Sequence, residues 1–408
     1  MAPAPETKRS RVRSAAVLVA GNLAVLVAVV IVAEGVSSTL LFSKAIWDRA
    51  VLARREGLGH TQFDPLLGWS AIPNSTFVDL YGPGRTLTTN SQGFRAREEY
   101  AREVTEGRLR VICSGDSYTL GHGVGDDQPW CHVLQLLDPR LQTVNMGQAG
   151  YGFDQAYLWY TRDGADLDHD VQLLSYIQTD FERMRWPTFQ SHPKPVLGLL
   201  EGRLQAVNTP LQELSWIRWF ASRVVSRSHR GLQSAELVRT ARRALDSSAE
   251  ADYPIGERAT FALFEAMLDD LQERNRIKNS QLVVVALPAL TNFARPDDYR
   301  GTVTDTITEA IAQACQVRGI PFLNLIQEFR RRLTFEQNEA LYDGHYNVAG
   351  NRFVAELIHE LLLERGVLDP PASPEVVLEY AVHSRRQRAR PIARAIPAAL
   401  SGLRALID

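Results

Sequence analysis

The sequence predicts an α/β protein, a three-layer α/β/α sandwich around a parallel five-stranded sheet with a transmembrane helix ahead of it. Two observations predict this. From Leu109 onward, continuous apolar runs alternate with amphipathic stretches, the pattern of strands buried on both faces with helices packed over them. At the other end, Lys8, Arg9, Arg11 and Arg13 precede an apolar run from Ala15 to Ala33, broken only by Gly21 and Asn22. Composition sets the bounds. The chain has 408 residues, 45% hydrophobic and 23% charged, with a formal net charge of -2. That length suits one large α/β domain with additions, or two domains. The charge balance gives no reason to expect nucleic acid as a partner.

The apolar run covers about 28 Å as a helix, close to the roughly 30 Å hydrocarbon core of a bilayer. A cleaved signal peptide has a shorter apolar region, about 7–15 residues, ending at a small-x-small site. Here the run passes directly into Glu34 and a helix-compatible segment, Leu40 to Arg55. We therefore expect an uncleaved anchor at 14–34, a cytoplasmic basic tail at 1–13 and a juxtamembrane helix within 35–59. The basic flank stays in the cytoplasm, which places everything after Glu34 outside it.

Residues 60–108 are rich in turn formers, including Asp64-Pro65, Pro73-Asn74, Gly82-Pro83-Gly84 and Asn90-Ser91-Gln92-Gly93. They read as an irregular β-rich lead-in with short pieces at Ser75 to Leu80 and Thr86 to Thr89, and with Trp69 and Phe94 as packing residues. The main domain is 109–367. Its strands are expected at Leu109–Ser114, Gln142–Met146, Val171–Gln178, Gln281–Leu287 and Ile320–Ile326. Its helices are expected at Asp127–Leu137, Asp154–Arg162, Glu257–Asn275, Tyr299–Val317 and Ala349–Arg365. The alternation breaks over 183–255, an insertion after the third strand. It is either a cap on the substrate site or a helical elaboration on the domain or membrane surface. The basic tail 368–408 reads as a solvated helical segment, with binding to anionic lipid or an anionic polymer as the alternative.

Ligands of such sheets bind at the carboxyl ends of the strands. There, Val111 to Thr119 runs from a strand into Gly115-Asp116-Ser117, a turn that can aim a serine out of the sheet. Alone, the tripeptide is ordinary turn chemistry. After the last strand comes Asp343-Gly344-His345. In an extended segment, residues two apart point the same way, about 6.6 Å apart. A bend at Gly344 would let Asp343 accept a hydrogen bond from His345 and orient it as a base. After the second strand, Gly147-Gln148-Ala149-Gly150 can present backbone N–H groups. His122 is close enough in sequence to line the site. The aspartates Asp166, Asp168 and Asp170 lack the spacing of a calcium loop. The cysteines Cys113, Cys131 and Cys315 form no metal-ligand cluster, although one disulfide among them is compatible with the sequence. No metal or cofactor is expected.

In combination these stretches resemble the SGNH/GDSL hydrolases. Gly115-Asp116-Ser117 matches the family's first block, Gly150 its second-block glycine, and Asp343 with His345 its last block. The Asp-x-His spacing, with the runs Asp64 to Asn74, Asn90 to Arg95 and Gly147 to Gln155, is similar to the membrane-anchored bacterial branch related to alginate O-acetylation proteins. The resemblance covers roughly residues 60–367 and implies a flavodoxin-like strand order. It implies Ser117 as nucleophile, His345 as base and Asp343 as its orienting acid. Oxyanion donors would come from the backbones of Ser117 and Gly150, with Asp116 also lining the site. One block departs: Ile177-Gln178-Thr179-Asp180 stands where the family has Gly-x-Asn-Asp, so Thr179 replaces the oxyanion asparagine. Losing one such donor costs on the order of 3–4 kcal/mol. The resemblance implies an extracytoplasmic esterase acting on acyl, chiefly O-acetyl, groups of a glycan or lipid. The rival readings are an acyltransferase onto a polysaccharide hydroxyl and a catalytically weak glycan-binding relative. Protein partners are not readable from the sequence.

Overall fold

The computed structural model describes residues 8–47, 58–190, 192–213, 232–235, 237–238, 257–293 and 306–370. The chain divides into two compact units, one of residues 1–56, 190–192 and 213–253, the other of the remainder.

The first unit holds helix α1, Lys8–Trp47, which runs unbroken for 40 residues. Anchor and juxtamembrane helix, expected as separate elements, are therefore continuous as far as Trp47, because no glycine pair or proline interrupts the helical backbone between them. Its Val17–Trp47 part is long and apolar enough to cross a membrane. Val17, Leu18 and Leu23 are among the large apolar side chains exposed along it. Glu34 is satisfied within this unit, its carboxylate accepting from the backbone N–H groups of Gln233 at 2.6 Å and Ser234 at 3.1 Å. About half of the expected insertion, and the tail beyond residue 370, lie outside the described residues; the described part includes an antiparallel pair, Leu197–Leu200 with Arg203–Ala206.

The second unit is built on five strands: β1 (Leu109–Gly115), β2 (Leu141–Gly147), β3 (Val171–Tyr176), β4 (Gln281–Ala286) and β5 (Phe322–Asn324). All neighbouring pairs are parallel and the spatial order is β5-β4-β3-β1-β2. This is the flavodoxin-like arrangement, whose order reverses beside β1. Every residue of β3 is buried, as a two-sided apolar strand requires.

The remaining helices are α2 (Ser117–Leu120), α3 (Trp130–Leu137), α4 (Phe153–Arg162), α5 (Gln178–Arg183), α6 (Glu257–Ile277), α7 (Thr306–Val317), α8 (Leu325–Arg332), α9 (Phe335–Glu339) and α10 (Val348–Glu364). Helices α3, α8 and α10 pack together over one face of the sheet, while α4, α5 and α6 form a layer on the other. Three expected elements change, and residues 299–305, expected as helix, lie outside the described residues. The third strand stops at Tyr176, because Gln178 opens α5. The first helix begins at Trp130 rather than Asp127, behind Pro129 in an extended conformation. The last strand is only Phe322–Asn324, because Asn324 accepts a hydrogen bond from the Gln327 N–H and starts α8 there. The apolar Leu325 and Ile326, read as strand, are the buried face of that helix.

The lead-in forms two antiparallel pairs, Thr61–Asp64 with Gly68–Ala71 and Ser75–Phe77 with Leu87–Thr89. Trp69 and Phe94 are buried in the core, as expected.

Candidate active site

Strand β1 ends at Gly115, and Asp116 caps the following turn by accepting from the Tyr118 N–H at 2.9 Å. Ser117 is therefore the first residue of α2, a position whose N–H no helical carbonyl can reach. Gly115 must be glycine, since a Cβ there would run into the side chains of Thr119 and Ser175. Those two hydroxyls lie 2.5 Å apart, and Ser175 Oγ donates to Ser114 O at 2.8 Å, fixing the end of β1 against β3. Ser117 Oγ lies 2.9 Å from His345 Nε2 and 3.3 Å from Asp116 Oδ2. For the serine to donate to the imidazole, Nε2 must be the bare ring nitrogen, with the proton on Nδ1.

His345 arrives from far along the chain on a small hairpin that pairs Tyr342 with Tyr346 and Asp343 with His345. Gly344 makes the turn with φ +73. Two hydroxyls anchor the hairpin behind β4, as Tyr342 and Tyr346 both donate to Pro288 O, at 3.0 and 2.6 Å. The imidazole lies between the rings of Tyr118 and His122, with centroids 4.7 and 4.5 Å away. Burial, and then the positive charge of Arg183, push the His345 imidazole down from 6.5 to about 4. His122 is lowered to about 3, first by burial and then by the charges of His345 and Arg95. Both rings are neutral at neutral pH.

A base has to be neutral to accept a proton, so activity should persist on acidification until His345 protonates. The expected acid limb of kcat/KM, which reports the free protein, lies near pH 4 rather than 6.5. A pH–rate profile of aryl ester hydrolysis checks this. A limb at the ordinary histidine value would mean that the ring is not held in this dry, cationic surrounding.

Asp343 stands differently from expectation. Its side chain is exposed, and among the described residues it makes no hydrogen bond to His345. What the hairpin provides is proximity: directly opposed residues of an antiparallel pair carry Cβ atoms about 4.5–5.5 Å apart on one face.

Gly150 follows β2, whose register with β1 aligns Gly147 with Gly115, so both turns leave the same edge of the sheet. It adopts φ +78, and a Cβ would strike the Phe189 ring. The N–H groups of Ser117 and Gly150 have no acceptor among the described residues. The flanking carbonyls, by contrast, are held. Ala149 O accepts from Trp69 Nε1 at 2.9 Å, and Tyr151 O accepts from Arg183 Nη1 at 2.9 Å. Thr179 is half-buried in the first turn of α5, at the end of the neighbouring β3, and its hydroxyl has no partner among the described residues.

Three groups that sequence reasoning passed over hold this arrangement. Arg95 is buried and donates to the carbonyls of Leu120, Gly121 and Val124, each at 2.7 Å, closing the loop behind Ser117. Trp69, read as packing alone, also positions the Gly150 loop. Arg183 Nη1 contacts Asp180 Oδ1 at 2.6 Å and Asp116 Oδ2 at 3.5 Å, beneath Ser117. Beside this cluster, Asp154 pairs with the fully buried Lys194. Burial, and then the negative charge of Asp116, push the Asp180 carboxyl well above the usual carboxylate range. The only hint in the sequence was the i, i+3 spacing of Asp180 and Arg183.

No protein-family model and no curated protein matches the sequence. Solved structures do. A lipolytic protein of the G-D-S-L family from Desulfitobacterium hafniense is 12% identical, with 62% of this chain and 100% of that one covered and a TM-score of 0.33. A G-D-S-L family member from Veillonella parvula is also 12% identical, covering 63% and 97%, at 0.34. An acetylxylan esterase from Geobacillus stearothermophilus is 11% identical, covering 63% and 96%, at 0.35.

Proposed function

We propose that this chain is a membrane-anchored serine esterase of the SGNH type, which removes acyl groups, O-acetyl above all, from a glycan or lipid outside the cytoplasm. The observation that carries the reading is the 2.9 Å contact between Ser117 Oγ and a neutral His345 Nε2, beside two backbone N–H groups that have no acceptor. Ser117 attacks the ester carbonyl while His345 takes its proton. The oxyanion is held by the Ser117 and Gly150 N–H groups, with the Thr179 hydroxyl as the third donor. His345 then protonates the leaving alcohol, and water resolves the acyl-serine by the same route in reverse. The apolar length of α1 supports the anchor, and the basic residues before it support a cytoplasmic N-terminus.

Asp343 takes the orienting role in this reading by turning its carboxylate onto His345 Nδ1 when substrate excludes water. Asp343→Asn should then lower kcat by about 10³–10⁴. It should also bring the acid limb of kcat, which reports the substrate complex, down to that of kcat/KM. A loss smaller than about tenfold, measured on an aryl acetate, would leave a serine–histidine pair working without its acid.

The reading as a whole is tested by trapping. The full chain is quenched during turnover of an aryl acetate and its peptides are weighed. An acetyl group on Ser117 is the expected result, and turnover with no such adduct would sink the mechanism. Comparing free acetate with acetyl transferred to an acetyl-free polysaccharide then tells water from a sugar hydroxyl as acceptor.

A further inference from the structure

Outside the polar machinery lies a pair of thiols that the mechanism does not use. Cys113 sits in β1, four residues before Ser117, and Cys131 is the second residue of α3, which packs on the neighbouring β2. Both are completely buried, and their Sγ atoms are 2.6 Å apart. This is far inside ordinary non-bonded contact and needs only a small closure to the roughly 2.05 Å of a sulfur–sulfur bond. The third cysteine, Cys315, is buried on α7 with no sulfur beside it among the described residues.

We infer that Cys113 and Cys131 are joined by an intramolecular disulfide in the exported protein. The inference rests on the extracytoplasmic placement proposed above, since such bonds persist in oxidising compartments and not in the cytosol. In the folded reduced chain, burial pushes the Cys113 thiol well above its usual value, so almost no thiolate is available there. The bond therefore forms while the chain is folding, before β1 and α3 close over it. One cysteine thiolate attacks a disulfide of an oxidising dithiol protein and releases one of its sulfurs as thiolate. The second cysteine then displaces the mixed disulfide. The pair loses two protons and two electrons, and the oxidant leaves as a dithiol.

The cross-link has a place in the site. The Trp130 N–H, next to Cys131, donates to Asn351 Oδ1 at 3.0 Å, and Asn351 Nδ2 donates to Tyr346 O at 3.0 Å. Helix α3 thus ties the strand that carries Ser117 to the hairpin that carries His345. The disulfide makes one half of that tie covalent.

Membranes carrying the full chain are denatured in the presence of a maleimide, then reduced, labelled with a second alkylating agent and analysed by peptide mass. The first label should fall on Cys315 alone and the second on Cys113 and Cys131. The purified chain, unfolded, reduced and refolded without an oxidant, should melt about 5–10 °C lower than the oxidised protein. Cys131→Ala should abolish that redox dependence. First-label modification of all three cysteines overturns the inference. A reporter fused after residue 60 and refolding in an oxidising glutathione buffer then give the reason. A reporter outside the cytoplasm with no bond on refolding rejects the pairing itself. A cytoplasmic reporter with a bond on refolding rejects the placement on which the pairing depends.

Discussion

Ser117→Ala is expected to lower kcat for an aryl acetate by about 10⁵–10⁶, leaving only the residual rate that bound substrate and oxyanion donors supply. The magnitude follows from how the parts are coupled. His345 can take a proton only from the hydroxyl 2.9 Å away, so without that oxygen the imidazole and the two backbone donors act on no nucleophile. The fold should be indifferent to the change. Alanine fills the same first-turn position, and the capping bond of Asp116 to the Tyr118 N–H does not involve the serine side chain. Circular dichroism and thermal melting should therefore match the parent while turnover and labelling by a fluorophosphonate both vanish. Retention of more than about one per cent of the activity would place the nucleophile elsewhere.

The second large effect is on stability. Arg183→Met is expected to cost about 3–5 kcal/mol, because it removes one partner from a buried ionic cluster. Asp116 and Asp180 are 1% and 2% exposed, and the guanidinium is the cation beside both. Without it, Asp116 must take up a proton or bear its desolvation alone, beside an Asp180 that burial already drives toward the neutral form. Tyr151 O also loses a donor, so the loop carrying Gly150 loosens at the same moment. Arg183 is the second cause, after burial, of the depressed His345 imidazole, so the acid limb of kcat/KM should rise above 4 in this variant while burial holds it below 6.5. Adding Asp180→Asn should recover part of the stability, since the remaining amide needs no counter-charge. Denaturant unfolding of the two variants checks this. A variant as stable as the parent would mean that the two aspartates share a proton and never needed the arginine.

The sequence and the structure agree where a residue's role is set by its immediate neighbours. The apolar run of β1 and the Gly115-Asp116-Ser117 turn are local chemistry, and so is the parallel sheet that alternation implies. The closeness of Ser117 and His345 is compatible with the pattern too, since each stands just beyond an element it reveals. Arg95, Arg183 and Trp69 were not readable, because each acts through side-chain bonds to carbonyls or carboxylates distant in sequence. Such bonds have no periodicity and no composition. The early end of β5 was missed because Asn324 caps a helix where an apolar run continues, and a cap outranks hydrophobicity at that point. Asp343 shows the limit in the other direction. Its spacing to His345 was read as a hydrogen bond, whereas the hairpin supplies opposed positions with the carboxylate turned to solvent.

The serine and histidine are separated by 228 positions in sequence. Closing a chain segment of that length costs about 5 kcal/mol of entropy, roughly 0.6 kcal/mol for each doubling. A contact of that span is expected to form late, once the sheet has paired and α10 docks on α3, because the closure entropy precedes any reward. Until then the chain carries Gly115-Asp116-Ser117 without His345 beside it. On the mechanism proposed above, Ser117 gains its base only once the hairpin carrying His345 has docked, so assembly order works as a timer on the chemistry.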